Sequence, residues 1–553
     1  MTPPPTAPLP TRIKLAHGLG SVTMGVKEAG LTTFFMIYYN QVLGFDPRVV
    51  SLVLIGAMLV DALVDPLIGR LSDATRTRLG RRLPWLYGAA LPMAIAWALL
   101  WVSPDVARHS TLGLILNVVA VRVLVSACEI PSVSLVAELT RDYDERTTLM
   151  RFRFLFGWLG GLTATALAYG YFLKSDDPAR SGLLDPSGYA AFGLFGAALI
   201  LVSTLGSAAG QQRRILALPP PPVQAHGSSM LTDIALAFRN PAFIALASGA
   251  LFVVTGYATT IAATNYTMLY IWRLSDDQLA LYPIGLAVAV FGAFAAVGLA
   301  HRRFGKRDTA IAAVLFSGVV AFLPYAARNL GWWPELGGWP SMALLLTLQT
   351  ISLFGLVVGH ISCSSMVAEI VEAHEIDHGT RIEGVFFAGY LMTQKFGQAL
   401  GIFTVGQLVA YVGLGERVRP EDWPASAATM MGWIVAGLMI LIAIMAAATQ
   451  STGPVTRPGS PRWPAGRTKR RGRNGGLRDS PRGGNFLRGG TWQGGRIGPR
   501  VYVNVKGKER RWISISPTGS SIGRAGCASS SSARCARRFR PIRNRTRRAT
   551  AGR

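Results

Sequence analysis

The chain has 553 residues, of which 50% are hydrophobic and only 15% are charged, a composition typical of proteins embedded in a lipid bilayer. Its formal net charge of +27 lies mainly in residues 451–553, which hold 26 of the 56 Lys and Arg residues but only two acidic residues, Asp479 and Glu509. The rest of the chain is nearly neutral, which argues against nucleic acid as a partner of the core. The four cysteines form no C-x-x-C pair and therefore indicate neither a disulfide framework nor a metal knuckle.

Residues 1–14 are rich in proline and lack the charged-then-apolar pattern of a cleaved signal peptide. We expect them to form a disordered N-terminus. Twelve apolar segments follow, each of which is long enough to cross a bilayer as a helix. They lie at residues 16–43, 47–70, 84–103, 112–139, 149–173, 188–209, 241–271, 280–300, 309–326, 341–366, 384–412 and 428–448. The sequence therefore predicts an all-α membrane protein with twelve transmembrane helices.

A long joint that contains the proline run "LPPPPVQ" divides the twelve segments into two sets of six. Two short repeats support a duplication: "TRLGRR" (77–82) returns as "RRFGKR" (302–307), and "SLVAEL" (134–139) returns as "SMVAEI" (365–370). Paired six-helix bundles with a central site are an architecture of secondary transporters. We predict an N-terminal bundle at 15–209, a cytoplasmic linker at 210–240, a C-terminal bundle at 241–448 and a disordered basic tail at 449–553.

Basic residues are distributed unevenly among the short loops. The loops after even-numbered segments hold thirteen Lys and Arg residues, whereas those after odd-numbered segments hold eight. Because basic loops tend to stay on the cytoplasmic side, we predict a multi-pass protein of the cell membrane with both termini in the cytoplasm.

The second segment, "DALVDPLIGRLSD", contains two carboxylates inside an otherwise apolar run. Asp61 and Asp65 lie one helical turn apart and share a face. A charge at bilayer depth costs about 2.5–3.5 kcal/mol on insertion scales, so such residues usually face a cavity and have partners. Pro66 lacks an N–H and leaves the carbonyl of Ala62 free. Carboxylate and carbonyl oxygens are hard ligands suited to a small cation, which makes Asp61 and Asp65 a candidate site for Na⁺ or H⁺.

Three further apolar segments carry charges. Glu129 precedes Pro131, which repeats the arrangement of the second segment, and Lys395 is the natural counter-charge for an acidic group. Lys27 and Glu28 are adjacent, and since neighbouring side chains on a helix point about 100° apart, we expect that they do not simply neutralise each other. For each of these residues, a purely structural role in holding helices together is the alternative.

The motifs "DALVDPLIGRLSDATRTRLGRRLPW", "EIPSVSLVAELTRDYDERTTLMRFR", "MVAEIVEAHEIDHGTRIEG" and "TQKFGQALG" resemble the glycoside–pentoside–hexuronide:cation symporters. These form the melibiose-permease branch of the major facilitator superfamily, and the likeness extends from Lys14 to Ala448. It implies two pseudo-symmetric six-helix bundles, the major facilitator fold. It also implies that Asp61, Asp65 and Glu129 bind the cation, and that Arg153 (or its neighbour Arg151) and Lys395 take part in substrate binding and coupling. Lys27 and Glu28 are further candidates for that role.

Two positions depart from the melibiose-permease pattern. Gly25 stands where that branch has an acidic sugar ligand, and Val133 stands where it has a tryptophan. The resemblance therefore implies the family but not α-galactosides as the substrate.

The loop after the second segment resembles the superfamily's loop motif. Asp73 with Arg76, Arg81 and Arg82 would latch one conformation at the cytoplasmic end, and we add Glu138 and Glu369 from the repeated "VAE" sequences to this candidate gate. The alternative is that the arginines serve only to orient the protein.

The function predicted from these observations is secondary active transport. We expect symport of a small polar solute, a sugar or glycoside, coupled to Na⁺ or H⁺, by a monomer that needs no other cofactor. A lipid or lysolipid carrier of the same fold is the alternative. A membrane-bound enzyme or sensor is disfavoured because the sequence has no nucleophile–base pair, H-E-x-x-H or Walker motif.

The tail from Arg457 to Arg500 is rich in Arg, Gly, Pro and Ser without apolar periodicity, which predicts disorder. It is either an RGG-like segment that contacts RNA or anionic lipid, or the out-of-frame product of GC-rich DNA.

Overall fold

The computed structural model describes residues 9–102, 110–140, 142–177, 180–217, 235–378, 382–451, 500–505, 509–516 and 519–522. The chain divides into two units, residues 1–465 and 466–553, and each is described by itself. Residues 1–8 of the predicted disordered N-terminus, residues 218–234 of the predicted linker and most of the basic tail lie outside the described residues.

Twelve helical segments in the described part of the first unit overlap the twelve apolar segments of the sequence, so the prediction of an all-α membrane protein is confirmed. They are α1 (residues 11–42), α2 (Pro47–Ala74), α3 (Leu83–Trp101), α4 (Thr111–Leu139), α5 (residues 143–172), α6 (Pro186–Leu216), α7 (Pro241–Ile271), α8 (Asp276–Phe304), α9 (Lys306–Asn329), α10 (Trp339–His378), α11 (Glu383–Tyr411) and α12 (Ala425–Ser451).

Helix α1 starts earlier than expected, since its first turn already includes Thr11. Two turn residues, Gly20 and Ser21, interrupt it.

Several helices begin with the same local signal. The side chains of Asp46, Asp185 and Asn240 each accept a hydrogen bond from a backbone N–H in the first turn of α2, α6 and α7. In each case a proline follows directly, and its fixed φ and missing N–H suit the first position of a helix. The dipeptides Asp-Pro and Asn-Pro thus determine where three of the helices start.

Nine helices in the described part of the chain have the length and hydropathy of a membrane span. The other three are α1, α5 and α11. Helix α1 is divided into short pieces by its turn and by two π-helical stretches, Ala29–Phe34 and Tyr38–Val42. Helices α5 and α11 carry Arg153 and Lys395 among several glycines and polar residues. Polar residues lower hydropathy, and they are stable at this depth only where a helix faces other protein or water.

The helices pack into two groups. Within residues 11–216, α1 packs against α5 and α6, α2 against α4, and α3 against α4 and α6. Within residues 241–451, α7 packs against α11 and α12, and α9 packs against α10 and α12. The two groups meet mainly where α2 packs against α11 and α1 against α7, and a smaller contact joins α5 to α8. We call these groups the first half and the second half.

The sequence repeat is accompanied by a repeat of backbone conformation. Gly80 lies between α2 and α3 with φ +87°, and Gly305 lies between α8 and α9 with φ +80°. Side chains are strained at such φ values, whereas glycine is not. The turn between the second and third helices of each half therefore has the same glycine requirement.

The second unit contains strands where the sequence predicted disorder. Strands β1 (Arg500–Val505), β2 (Glu509–Ser516) and β3 (Gly519–Ile522) form an antiparallel sheet in the order β1-β2-β3. The prediction of disorder is wrong for these residues because it was based on the composition of residues 457–500. Beyond it the sequences "RVYVNV" and "RWISIS" alternate apolar with polar residues, which is the pattern of a strand.

Candidate functional site

The centre of α2 contains a buried ion pair that the sequence did not predict. Asp61 is 4% exposed, and its Oδ2 accepts a hydrogen bond from Arg122 Nη1 of α4 at 2.9 Å. Arg122 is 5% exposed. A signal for it was present, because a lone arginine in an apolar helix needs a partner, and Arg122 precedes Glu129 by seven residues and so lies on nearly the same helix face.

Asp65 pairs with a residue of the other half. Its Oδ2 accepts a hydrogen bond from Lys395 Nζ of α11. The same Nζ lies 3.9 Å from Asp61 Oδ2. Lys395 is thus the counter-charge of both carboxylates, and this contact joins the two halves at the middle of the helices. The Lys395 side chain is 31% exposed, so this part of the site borders open space between the halves.

Each of the two carboxylates keeps one oxygen unused. Asp61 Oδ1 and Asp65 Oδ1 are buried and have no hydrogen-bond partner among the described residues. Buried polar atoms are normally satisfied, so these two oxygens, one turn apart on α2, are available acceptors. No group of three or more His, Cys, Asp or Glu residues that could hold a metal ion occurs in the described part of the chain.

The expectation that Lys27 and Glu28 do not neutralise each other is wrong. Lys27 Nζ lies 2.7 Å from Glu28 Oε1. Although the Cβ atoms of neighbours diverge, the four-carbon stem of lysine bends its ammonium group back to the carboxylate. The other carboxylate oxygen, Glu28 Oε2, accepts hydrogen bonds from Gln398 Nε2 of α11 at 2.8 Å and from Thr32 Oγ1 at 3.3 Å. Glu28 therefore also links the two halves.

Arg153 has partners other than the aspartate pair. Arg153 is buried and donates from Nη1 to Ser132 Oγ at 2.8 Å, whereas its neighbour Arg151 is exposed. Glu129 and Arg153 line a small cavity inside the first half, and Glu129 acts electrostatically on Arg153 and Lys27. Among the described residues, no hydrogen bond or ion pair joins Glu129 to Asp61 or Asp65.

Gly25 and Val133 have different surroundings. A Cβ atom at Gly25 would lie 2.0 Å from the carbonyl oxygen of Gly157, because α1 and α5 cross closely at this point. No side chain fits there. Val133 is 39% exposed. The crossing explains why α1 has no acid at position 25, and the charged pair of α1 lies one turn further on.

Four residues of the candidate gate form one cluster. Arg82 Nη2 lies 2.8 Å from Asp73 Oδ1, and Arg82 also pairs with Glu138. Arg81 Nε lies 2.7 Å from Glu138 Oε1 and Arg81 Nη1 lies 3.5 Å from Asp73 Oδ1. The cluster ties the end of α2 and the start of α3 to the end of α4.

The remaining two gate candidates lie elsewhere. Arg76 donates from Nη1 to the backbone carbonyls of Asp73 and Thr75, at 2.6 and 3.1 Å, rather than to a carboxylate. Glu369 of α10 pairs with Lys306 at the start of α9, with 2.8 Å between Oε1 and Nζ. All of these pairs lie within one half. At the end of the helices that carries the even-numbered loops, no ion pair joins the two halves among the described residues.

The opposite end is joined across the halves by neutral side chains. Tyr266 of α7 donates to Asn40 Oδ1 of α1 at 3.1 Å, and Tyr270 donates to Gln41 Oε1 at 2.9 Å. Gln41 Nε2 donates in turn to the carbonyl of Leu414 at 3.0 Å. Deeper in the protein, Asn265 Nδ2 donates to the carbonyl of Thr33 at 2.7 Å. We call these hydrogen bonds the odd-loop seal.

The odd-loop seal coincides with non-standard helix geometry. Its residues lie in or beside the π-helical stretches Ala29–Phe34, Tyr38–Val42 and Thr267–Ile271. Such stretches are rare and occur frequently at functional sites. The seal was not predicted from the sequence, although "YYNQ" and "TNYTMLY" concentrate polar residues near the ends of apolar segments.

A protein of two packed helical halves, with charges buried where the halves meet, belongs to the class of helical membrane transporters. The family described as "MFS/sugar transport protein" matches residues 16–457. The chain therefore belongs to this family of the major facilitator superfamily, and the resemblance seen in the sequence is confirmed.

The chain is similar to several curated relatives. It is 25% identical over 422 residues to the putative glycoside/cation symporter YagG of Escherichia coli (strain K12), with 74% of this chain and 85% of the relative covered. It is 24% identical over 414 residues to the isoprimeverose transporter of Lactiplantibacillus pentosus, covering 73% and 81%. It is also 22% identical over 455 residues to the sphingosine-1-phosphate transporter MFSD2B of Mus musculus, covering 78% and 88%.

Solved structures confirm the fold. The nucleoside transporter NupG superposes with a TM-score of 0.55 at 16% identity, covering 79% of this chain and 98% of that protein. The D-xylose–proton symporter superposes with a TM-score of 0.53 at 16% identity, covering 79% and 97%. The predicted major facilitator fold is thus correct, and the family is one of transporters rather than enzymes.

Proposed function

We propose that this chain is a cation-coupled symporter that carries a small polar solute, a saccharide or glycoside, across the cell membrane as a monomer. The observation that supports this most is the contact of Lys395 with Asp65. This contact joins the two halves, and the ammonium group of Lys395 competes directly with any cation for the carboxylate of Asp65. A cation bound at Asp65 releases Lys395 and so alters the interface between the halves. Coupling requires that the cation binds one conformation more tightly than the other.

The solute site in this proposal lies between α1 and α11, beside the carboxylates. Glu28, Thr32 and Gln398 form a hydrogen-bonded group there. On the same face of α11, Gln394 donates to His360 Nε2 of α10 at 2.8 Å. Glu28 has a side chain that is 37% exposed, so this group borders open space. A lining of carboxylate, amide and hydroxyl groups favours a solute with many hydroxyls over an amphiphile.

The proposed conformation is open towards the cytoplasm. The odd-loop seal closes one end of the protein by hydrogen bonds across the halves, which supports an opening at the other end. The excess of Lys and Arg in the even-numbered loops favours the cytoplasm for that other end.

This orientation, with both termini in the cytoplasm, is tested by a reporter enzyme fused after Gln450. We expect activity of the fusion only on the cytoplasmic side. Activity on the outer side would refute the proposed orientation.

The function is tested by uptake into proteoliposomes that contain the full-length protein. A panel of glycosides and free sugars is offered under an imposed Na⁺ gradient, under a proton gradient and without either. The proposal predicts concentrative uptake of at least one saccharide under one of the two gradients. Uptake of a lysolipid alone would favour the lipid-carrier alternative, and uptake of no solute above that of empty liposomes would contradict the proposal.

A further inference from the structure

The Arg122–Asp61 ion pair differs from the Lys395–Asp65 ion pair in ways that bear on the coupling ion. Both side chains of the first pair are 6% exposed. In the second pair, the Asp65 side chain is 15% exposed and the Lys395 side chain is 31% exposed. The first pair lies entirely within the first half, between the packed helices α2 and α4. The second pair connects the halves and therefore separates when the halves move apart.

The guanidinium of Arg122 occupies one of the two oxygens with which Asp61 could bind a cation, and Oδ1 has no partner among the described residues. The guanidinium occupies Asp61 Oδ2 through a 2.9 Å hydrogen bond, and Arg122 Nε has no partner among the described residues. Arginine stays charged at any physiological pH. Displacing it from Asp61 would leave a buried charge without a partner, which is strongly unfavourable.

The charges around the carboxylates are already balanced. Asp61 and Asp65 carry two negative charges, and Arg122 and Lys395 carry two positive charges within 4 Å of them. Arg122 also acts electrostatically on Lys27 and Glu28, which neutralise each other. A metal cation added at Asp61 would therefore lie beside a fixed positive charge, and juxtaposed like charges are repulsive.

We propose that Arg122 is a built-in cation that excludes Na⁺ from Asp61, so that Asp65 is the carboxylate of this pair at which the coupling cation exchanges with Lys395. This inference rests on the proposed symport function. Asp61 then acts as a positioning residue that holds Arg122, and the two aspartates, although one turn apart, have different roles.

The test measures binding of radioactive ²²Na⁺ to the purified full-length protein in detergent, with choline as the control cation. Four proteins are compared with the wild type: Arg122→Gln and Arg122→Met, which remove the charge, Arg122→Lys, which keeps it, and the double variant Asp61→Asn/Arg122→Gln, which removes both charges of the pair. Thermal unfolding of each protein verifies that it is folded.

We expect the charge-removing variants to gain saturable ²²Na⁺ binding, with an affinity about tenfold or more above that of the wild type, because a like charge has been removed. The wild type and Arg122→Lys should bind ²²Na⁺ more weakly, and any binding that they show should depend on Asp65 rather than on Asp61. The double variant should lose the gained binding, since the freed carboxylate is absent. Two charge-removing variants are used so that the failure of one to fold does not decide the outcome.

Two results would overturn the inference. One is ²²Na⁺ binding by the wild type that Asp61→Asn abolishes. The other is a folded Arg122→Gln or Arg122→Met protein that binds no more Na⁺ than the wild type. Solute uptake, measured separately in proteoliposomes, keeps the two proposals distinguishable. Loss of all uptake would contradict the symporter, whereas Na⁺-driven uptake that depends on Asp61 would contradict only the role of Arg122.

Discussion

The two halves are similar at the ends of their helices and different in the middle. In the first half, Gly80 is followed by Arg81, which pairs with Glu138 at the end of α4. In the second half, Gly305 is followed by Lys306, which pairs with Glu369 near the end of α10. The turn with its adjoining ion pair has thus been kept in both halves.

The membrane-embedded acids have not been kept in both halves. At the spacing of the repeat, the positions of Asp61 and Asp65 in α2 correspond to Leu286 and Val290 in α8. The second half contributes Lys395 instead, which reaches across to the first half. The two halves therefore have different roles in the proposal. In the proposed mechanism the first half holds the cation, and the second half supplies the group that the cation displaces.

The largest expected effect comes from neutralising the carboxylate that joins the halves. Asp65→Asn should abolish gradient-driven accumulation in proteoliposomes, because Lys395 loses the charge for which it competes with the cation. Exchange of solute across the membrane should continue. Glu421→Gln, which neutralises a mostly exposed acid outside the helices, is the matched control and should transport normally. Concentrative uptake by Asp65→Asn at the wild-type level would contradict the proposal that the first half holds the cation at Asp65.

A smaller effect should separate the two repeated ion pairs. Glu138→Gln leaves buried Arg82 and half-buried Arg81 with a weakened partner, which we expect to cost about 1–3 kcal/mol of stability. Glu369→Gln affects a pair whose side chains are 27% and 25% exposed, for which about 0.5 kcal/mol is expected. Thermal unfolding in detergent measures both variants. Equal shifts of the melting temperature would mean that Asp73 and Arg82 add nothing to the first pair.

The smallest of these effects concerns the odd-loop seal. Tyr270→Phe removes hydrogen bonds to Gln41 and to the carbonyl of Val418. Because the hydroxyl has a single proton and only Gln41 lies in the other half, the loss across the halves is about 1 kcal/mol, and the ratio of sealed to open molecules should fall roughly fivefold. Tyr411→Phe, at an exposed position, is the control. To measure the change, a cysteine is introduced at Thr33 and labelled with a reagent added from outside. Unchanged labelling would show that the seal does not hold the halves together.

The helices and the Asp65–Lys395 contact could be predicted from the sequence for one reason. Apolar runs of bilayer length are visible without a structure, and so is any charge inside them, which must have a partner of opposite sign. With Asp61 and Asp65 in α2, Lys395 was the evident counter-charge. The same rule applies to Arg122, because a lone arginine in an apolar helix requires an acidic partner.

Other features depend on tertiary geometry that a sequence pattern does not contain. The odd-loop seal uses backbone carbonyls and neutral side chains, and their pairing depends on where helices α1 and α7 meet. The direction in which Lys27 bends towards Glu28 depends on rotamers. The role of Gly25 is defined by the crossing of α1 with α5. Hydrogen-bond partners and close approaches of this kind follow from packing, whereas the positions of the helices follow from hydropathy.

The measurement that tests the central claim most directly compares net uptake with exchange for Lys395→Ala, alongside its abundance in the membrane. In the proposed mechanism the ammonium takes the place of the cation at Asp65 when the carrier is empty. Without it the empty site keeps an unbalanced charge, so the return step should fail. We predict normal abundance and retained exchange, with net uptake reduced to the level of empty liposomes, and restoration of part of the uptake in Lys395→Arg. Normal net uptake by Lys395→Ala, or its absence from the membrane, would contradict the account.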